Sequence, residues 1–217
     1  AMYLSRVEID QGNRQKLKDL THLGAYHSWV ENSFPEKFGQ DRPRHLWRID
    51  TLRHKRYLLV VSAEKPNLNL LDKYGVPGTA ETKNYDPFLE KVKQNMIYNF
   101  RLTANPVHRV TQPGQKNGKL YPHITIEKQK EWLINRAKNC GFEIIKDESG
   151  IYQFDVVSRD WPLLFHKGTK RVRLSRVSFE GQLKVVDLKL FKQHLISGIG
   201  KEKAYGMGML TIIPVRA

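Results

Sequence analysis

The sequence predicts an α+β protein built from two tandem modules of one kind. Three observations carry that expectation. The first half reads strand, helix, strand, strand, helix, strand, which is the split βαβ, ferredoxin-like (RRM-like) arrangement. The second half repeats the alternation with extra strands. A length of 217 residues suits one large or two small domains at roughly 150 residues per domain.

Taken in order, residues 2–9 alternate apolar and polar side chains, with Tyr3 and Ser5 opposing Leu4, and predict a first strand. Residues 13–33 place Leu17, Leu20, Leu23, His27, Val30 and Phe34 at three- and four-residue steps. That spacing predicts one helix, weakened in its middle by Gly24 and closed by Pro35. Residues 46–49 and 57–63 read as two strands across a charged loop. Segment 64–95 holds Pro66, Gly75, Pro77-Gly78 and Pro87, so it is loop-rich with a short helix near 87–94. Residues 96–104 return to strand character, and the first module is expected to span 1–106. In the second, 107–217, Pro113-Gly114 and Asn117-Gly118 mark a flexible connection. Thr125 caps a helix that runs to Cys140 and stops at Gly141. Residues 142–145 and 151–157 suggest a hairpin pair, and 173–179 with 183–186 another, joined across Glu180-Gly181. A helix at 188–197 and a strand at 209–215 close the chain.

The composition narrows the class of partner. With 37 Lys+Arg against 22 Asp+Glu the net charge is +15, while 40% hydrophobic residues suffice for a true core. The charge therefore belongs to a folded body rather than a basic tail, and it points to an acidic polymer, nucleic acid before membrane. The excess is +6 over residues 1–110 and +9 over 111–217, so both modules share it. Two concentrations stand out. Residues 42–56 hold six basic side chains with His45 and His54 against Asp50 alone. Residues 161–179 contain no acid but carry Lys167, Lys170, Arg171, Arg173 and Arg176 beside His166. In 172–179 the alternation slips phase, as at a bulge or at the end of a protruding hairpin. Arg and Lys on such an arm could follow RNA phosphates.

Cys140 is the only cysteine, so neither a disulfide nor a cysteine-based zinc site is available. No apolar run is long enough for a transmembrane helix. Ala1 ahead of Met2 reads as an added residue, and no leader pattern follows. A cytoplasmic protein without metal or other cofactor is expected, since the eight histidines show no HExxH spacing and no carboxylate cluster.

The segment from Ser197 to Leu210 has glycines at 198, 200, 206 and 208 with Lys201 and Lys203 among them. It lacks the P-loop spacing, and it follows a helix and precedes a strand, the reverse of a dinucleotide fingerprint. A helix cap and tight turn need one or two glycines. Four allow close backbone approach to a ligand, so Gly198, Gly200, Lys201 and Lys203 join the basic hairpin as candidate RNA contacts.

These glycines, with Ala204 and Leu210, resemble the C-terminal glycine-rich loop of the CasE family of CRISPR-associated endoribonucleases. Met2-Tyr3-Leu4-Ser5, Phe100 through Pro106, and Phe179-Glu180-Gly181 match it too. The resemblance implies two ferredoxin-like domains that bind the stem-loop of a CRISPR repeat. It also implies metal-free cleavage of pre-crRNA at the 3′ base of the stem, with the mature crRNA kept for the other Cascade subunits. Such cleavage requires a base for the 2′-OH, an acid for the 5′-oxygen and cations for the phosphate. By position, His27 matches the family's early catalytic histidine. By periodicity alone it shares the register of Leu20, Leu23 and Val30 and reads as a buried structural histidine. The family carries a tyrosine one turn earlier, where this chain has Gly24. Tyr26 is an accessory candidate that a regular helix turns about 100° away, with packing as its alternative role, and Ser28 is another possible helper. Two further readings are weighed: a non-catalytic RNA-binding subunit on the same fold, and a nucleotide-binding metabolic enzyme, which the element order disfavours. An RNA-recognition-motif protein lacks support without an aromatic RNP1-like strand.

Overall fold

The computed structural model describes residues 1–35, 44–165 and 170–216. In chain order the elements are β1 (Tyr3–Glu8), α1 (Arg14–Leu17), α2 (Leu23–Asn32), β2 (Leu46–Leu52), β3 (Lys55–Ser62), α3 (Leu68–Leu71), β4 (Glu81–Asn84), α4 (Asp86–Glu90), β5 (Ile97–Ala104), β6 (Val107–Val110), β7 (Lys119–Pro122), α5 (Ile126–Ala137), β8 (Phe142–Ile144), β9 (Phe154–Asp160), β10 (Leu163–Phe165), β11 (Arg171–Arg173), β12 (Arg176–Val185), α6 (Leu188–Ser197) and β13 (Leu210–Pro214).

Two antiparallel sheets form the body. The first runs β2-β3-β1-β4, and the second β13-β5-β12-β8 with β9 also on β12. Numbered within each module, both orders are 4-1-3-2, so each is a split βαβ unit and the two ferredoxin-like modules stand as expected. The strand expected at 96–104 to close the first module lies instead between β12 and β13. The first sheet closes on the short β4, which pairs with β1. A division at residue 106 would therefore cut β5 from its own sheet. The reason is burial: Phe100, Leu102 and Ala104 have their apolar partners in β12, β13 and α6.

Three other local expectations change. The helix expected over 13–33 is two helices, because His22 caps α2 by accepting the Gly24 N–H at its Nδ1, 3.0 Å away. A Cβ at Gly24 would lie 2.5 Å from the His22 ring, so the glycine serves the cap. The hairpin expected across Glu180-Gly181 is one unbroken strand, β12. Gly181 is needed there because a Cβ would meet the Gln153 carbonyl at 2.3 Å. Finally, β8 and β9 lie end to end along β12, at 183–185 and 176–181, and the hairpin expected between them narrows to an antiparallel bridge between Lys146 and Tyr152. The register shift in the β9–β12 ladder at Ser178/Phe179 is the irregularity that the slipped alternation foretells.

Each module has a core, and each core borrows from the other. Leu164 and Met207 join Val7, Trp29, Val30 and Trp47, while Leu46 and Val61 join Phe100, Leu102, Phe179 and Leu195. Arg48 seals the joint. It is 2% exposed and donates to both carboxylate oxygens of Asp50. It also reaches the Arg101 carbonyl in β5, the Met209 carbonyl just before β13, and Thr211 Oγ1 within β13. Arg48 thus leaves the basic run at 42–56 for a structural post. No helix among the described residues is long and apolar enough to cross a membrane.

Candidate functional site

His27 sits in the middle of α2, half-buried, against the glycine-rich loop. Its Nδ1 lies 3.0 Å from the Ala204 carbonyl. A carbonyl oxygen only accepts, so Nδ1 carries the proton in this contact and the neutral ring presents a basic Nε2. Nε2 makes no hydrogen bond among the described residues. The same carbonyl accepts from Trp47 Nε1 at 3.0 Å, and two donors fix its place. The register that suggests burial is real for Leu23 and Val30, but the loop rather than the core receives His27.

The loop owes its path to its glycines. Gly198, Gly200, Gly206 and Gly208 all have positive φ, as does Glu202 at 60°. A Cβ at Gly206 would also lie 2.5 Å from the Trp47 ring. The Ile199 N–H donates to the Gly208 carbonyl and closes the loop, and the Gly208 N–H donates to the Thr103 carbonyl and ties the loop to β5. The result is one short helical turn, Lys203–Tyr205, laid across α2. The Tyr205 ring meets the His27 ring edge-on, with centroids 5.8 Å apart. Sequence reading missed Trp47 and Tyr205, since nothing in a strand or a glycine-rich run announces which helix it will touch.

Tyr26 is not part of this contact. It stacks on Trp47 with centroids 5.9 Å apart, and Arg56 Nη2 donates to its hydroxyl at 3.3 Å. With α2 starting late, at Leu23, the Tyr26 ring packs on Trp47. Ser28 is exposed on the following turn.

The basic arm exists as a separate ribbon, β10–β11, paired from Leu163–Arg173 to Phe165–Arg171. The Phe165–Arg171 end of its ladder, away from the Leu163–Arg173 base, docks beside the start of α2, where Phe165 and His22 rings lie 4.4 Å apart. Lys170, Arg171 and Arg173 are exposed, with Arg171 over the Phe165 ring and Arg173 donating to the Trp161 carbonyl. Lys167, together with His166, falls outside the described residues. Arg176 is engaged bidentately with Asp160 at 2.9 and 2.6 Å. On the loop, Lys201 is exposed and Lys203 half-buried. Burial pushes the Lys203 pKa down, with Arg44 the next cause and Arg136 and Lys201 adding to it against the opposing Cys140. Among the described residues, no three His, Cys, Asp or Glu side chains are grouped to hold a metal ion.

The fold and this site define a double ferredoxin-like protein whose helix-borne histidine lies between a basic ribbon and a cationic glycine-rich loop. Residues 2–214 match the family of CRISPR associated proteins, and the chain belongs to that family. It is 26% identical to the CRISPR-associated endoribonuclease Cse3 of Thermus thermophilus across 98% of this chain and 100% of that protein. A structure of CRISPR endoribonuclease Cse3 bound to 19 nt RNA superposes with a TM-score of 0.82 at 26% identity, covering 99% of this chain and 100% of the other. Thermus thermophilus Cse3 with an RNA representing a pre-cleavage complex gives 0.79 at 25% identity, over 98% of this chain and 99% of that one.

Proposed function

We propose that this protein is an endoribonuclease that binds the stem-loop of a CRISPR repeat and cuts pre-crRNA at the 3′ base of the stem. It retains the crRNA as a subunit of a Cascade complex. The observation that carries the reading is the tethered imidazole of His27, on a helix that both the basic ribbon and the glycine-rich loop contact. The family membership and the RNA-bound relatives support it. In this reading Nε2 takes the 2′-OH proton as the 2′-oxygen attacks phosphorus. The P–O5′ bond breaks, and the proton passes to the departing 5′-oxygen, leaving a 2′,3′-cyclic phosphate upstream and a 5′-OH downstream. Lys170, Arg171 and Arg173, with Lys201 and Lys203, bind the RNA phosphates; Lys167 belongs to the same basic run. Gly198 and Gly200 allow the backbone to approach the chain. No step requires a metal ion.

Incubation of wild type and His27→Ala with a labelled repeat hairpin in EDTA tests this. Wild type is expected to cut, and the variant to bind but cut about 10²–10⁴-fold more slowly. A 2′-deoxy nucleotide at the cut should stop the reaction; continued cutting would falsify the 2′-OH mechanism. One observation favours a second reading, a non-catalytic RNA-binding subunit: Gly24 replaces the family's tyrosine, and Tyr26 is turned towards Trp47. Tight binding by wild type without any cleavage would establish it.

A further inference from the structure

The wall behind the glycine-rich loop opens onto a second cationic pocket. Gly200 packs on Trp132, whose ring lies 3.1 Å from where a Cβ of residue 200 would sit. Trp132 in turn helps to line a cavity of about 380 Å³ with His108, His123, Lys128, Asn135 and Arg136. The cavity lies between the β6–β7 hairpin and α5. The His108 and His123 rings are 4.6 Å apart, and the Arg136 guanidinium lies 5.1 Å from the Trp132 ring centre. Trp132 is 7% exposed, yet its Nε1 has no hydrogen-bond partner among the described residues. The lining therefore offers several N–H donors from histidine, arginine, lysine and amide side chains. Glu131 is the one acid in the lining, and it is held by Lys128 at 3.0 Å.

Such a lining suits an anionic oxygen, because histidine, lysine, arginine and amide side chains face one cavity whose single acid is already paired. His123 stands within this group. Burial first, then His108 and Lys128, push its pKa down, with Glu131 alone opposing. The pocket adjoins the loop that contacts His27 through Trp132, on which Gly200 packs. Arg136 acts electrostatically on Lys203, and Lys203 neighbours Ala204 in sequence. We infer that this His108–His123–Arg136 pocket binds a backbone phosphate of the RNA, as an outlying subsite reached across Lys203 from the cut. The inference rests on the RNA-processing reading, because only a bound RNA chain would bring a phosphate along that path.

Equilibrium binding of the repeat stem-loop RNA with its single-stranded flanks, between about 50 and 200 mM salt, tests the subsite. His108→Gln and Arg136→Gln should each weaken binding about three- to tenfold. Arg136→Gln should also flatten the salt slope by about 1. His108 is exposed, so that variant keeps its fold, and matching thermal melting of both variants confirms it. Histidine ring NMR resolves the source of the phosphate. Shifts at His108 and His123 with RNA, but not with inorganic phosphate at equal ionic strength, support the inference. Saturation by inorganic phosphate that RNA fails to displace overturns it. Unchanged affinity and slope in both variants, while wild type still cuts, overturn this subsite alone; a wild type that binds without cutting overturns the nuclease reading instead.

Discussion

A single carbonyl, that of Ala204, organises the chemistry at the residue scale. It holds His27 Nδ1 and Trp47 Nε1 together, so the histidine's tautomer depends on a loop 177 residues away in sequence. Gly206→Ala should therefore act on both stability and rate. Its positive φ disfavours any Cβ, and the added methyl meets the Trp47 ring. A loss of about 1–3 kcal/mol is expected in urea unfolding, with cleavage slowed more than RNA binding. His123 has a folded-state pKa below the usual histidine value, so the free protein prefers it neutral. That contribution is present above the ordinary value near 6.5 and is lost as pH falls below it, through the folded value. The Tm of RNA-free protein should fall between about pH 7 and 5.5, and fall less in His123→Gln. Cys140 is silent at neutral pH, since burial raises its pKa to about 11. Alkylation of the native protein at pH 7 should leave it unmodified until the chain unfolds.

Elements matter here through what they bring to α2. The ribbon β10–β11 and the turn at Lys203–Tyr205 both reach it from separate parts of the second half of the chain. The ribbon rests on the ring contact between Phe165 and His22, while its cations stay exposed. Phe165→Ala should weaken RNA binding by releasing the arm, without the decrease in salt slope that removing a charge causes. Replacing Lys170, Arg171 and Arg173 by Gln should flatten the slope by about 1 for each phosphate no longer neutralised. Much of this scale was legible beforehand. The acid-free stretch and its phase slip announced an arm and a bulge, and Gly141, with φ +82°, marked the end of the 3-10 turn Lys138–Cys140 that follows α5. Gly181 was misleading. A glycine after a charged residue between two apolar runs signals a turn, yet here it makes room for the start of β9, and only the packed neighbour reveals that.

At the scale of the whole molecule, Arg48 joins the modules. Its guanidinium makes five hydrogen bonds to four residues, in β2, in β5 and at the start of β13, while almost fully buried. Arg48→Met should cost about 3 kcal/mol, because Asp50 and two carbonyls lose their donors while Arg101 still reaches Asp50. For a chain of this size that is a Tm fall of about 6–12 °C, and Arg48→Lys should rescue little of it, having no planar fork. The +15 charge belongs to this scale as well, although not all of it is available to RNA. Arg48 is interred, Arg176 is paired with Asp160, and Lys55 with Glu8. Periodicity, turn residues and local charge are short-range properties, and they are enough to suggest the two ferredoxin-like modules and the basic arm, whereas His27 became a candidate only through the family resemblance. Which sheet takes β5, which carbonyl orients His27, and which cations stay free are choices among partners distant in the chain. Those choices are made only in three dimensions, because burial and hydrogen-bond satisfaction are settled when the whole chain packs.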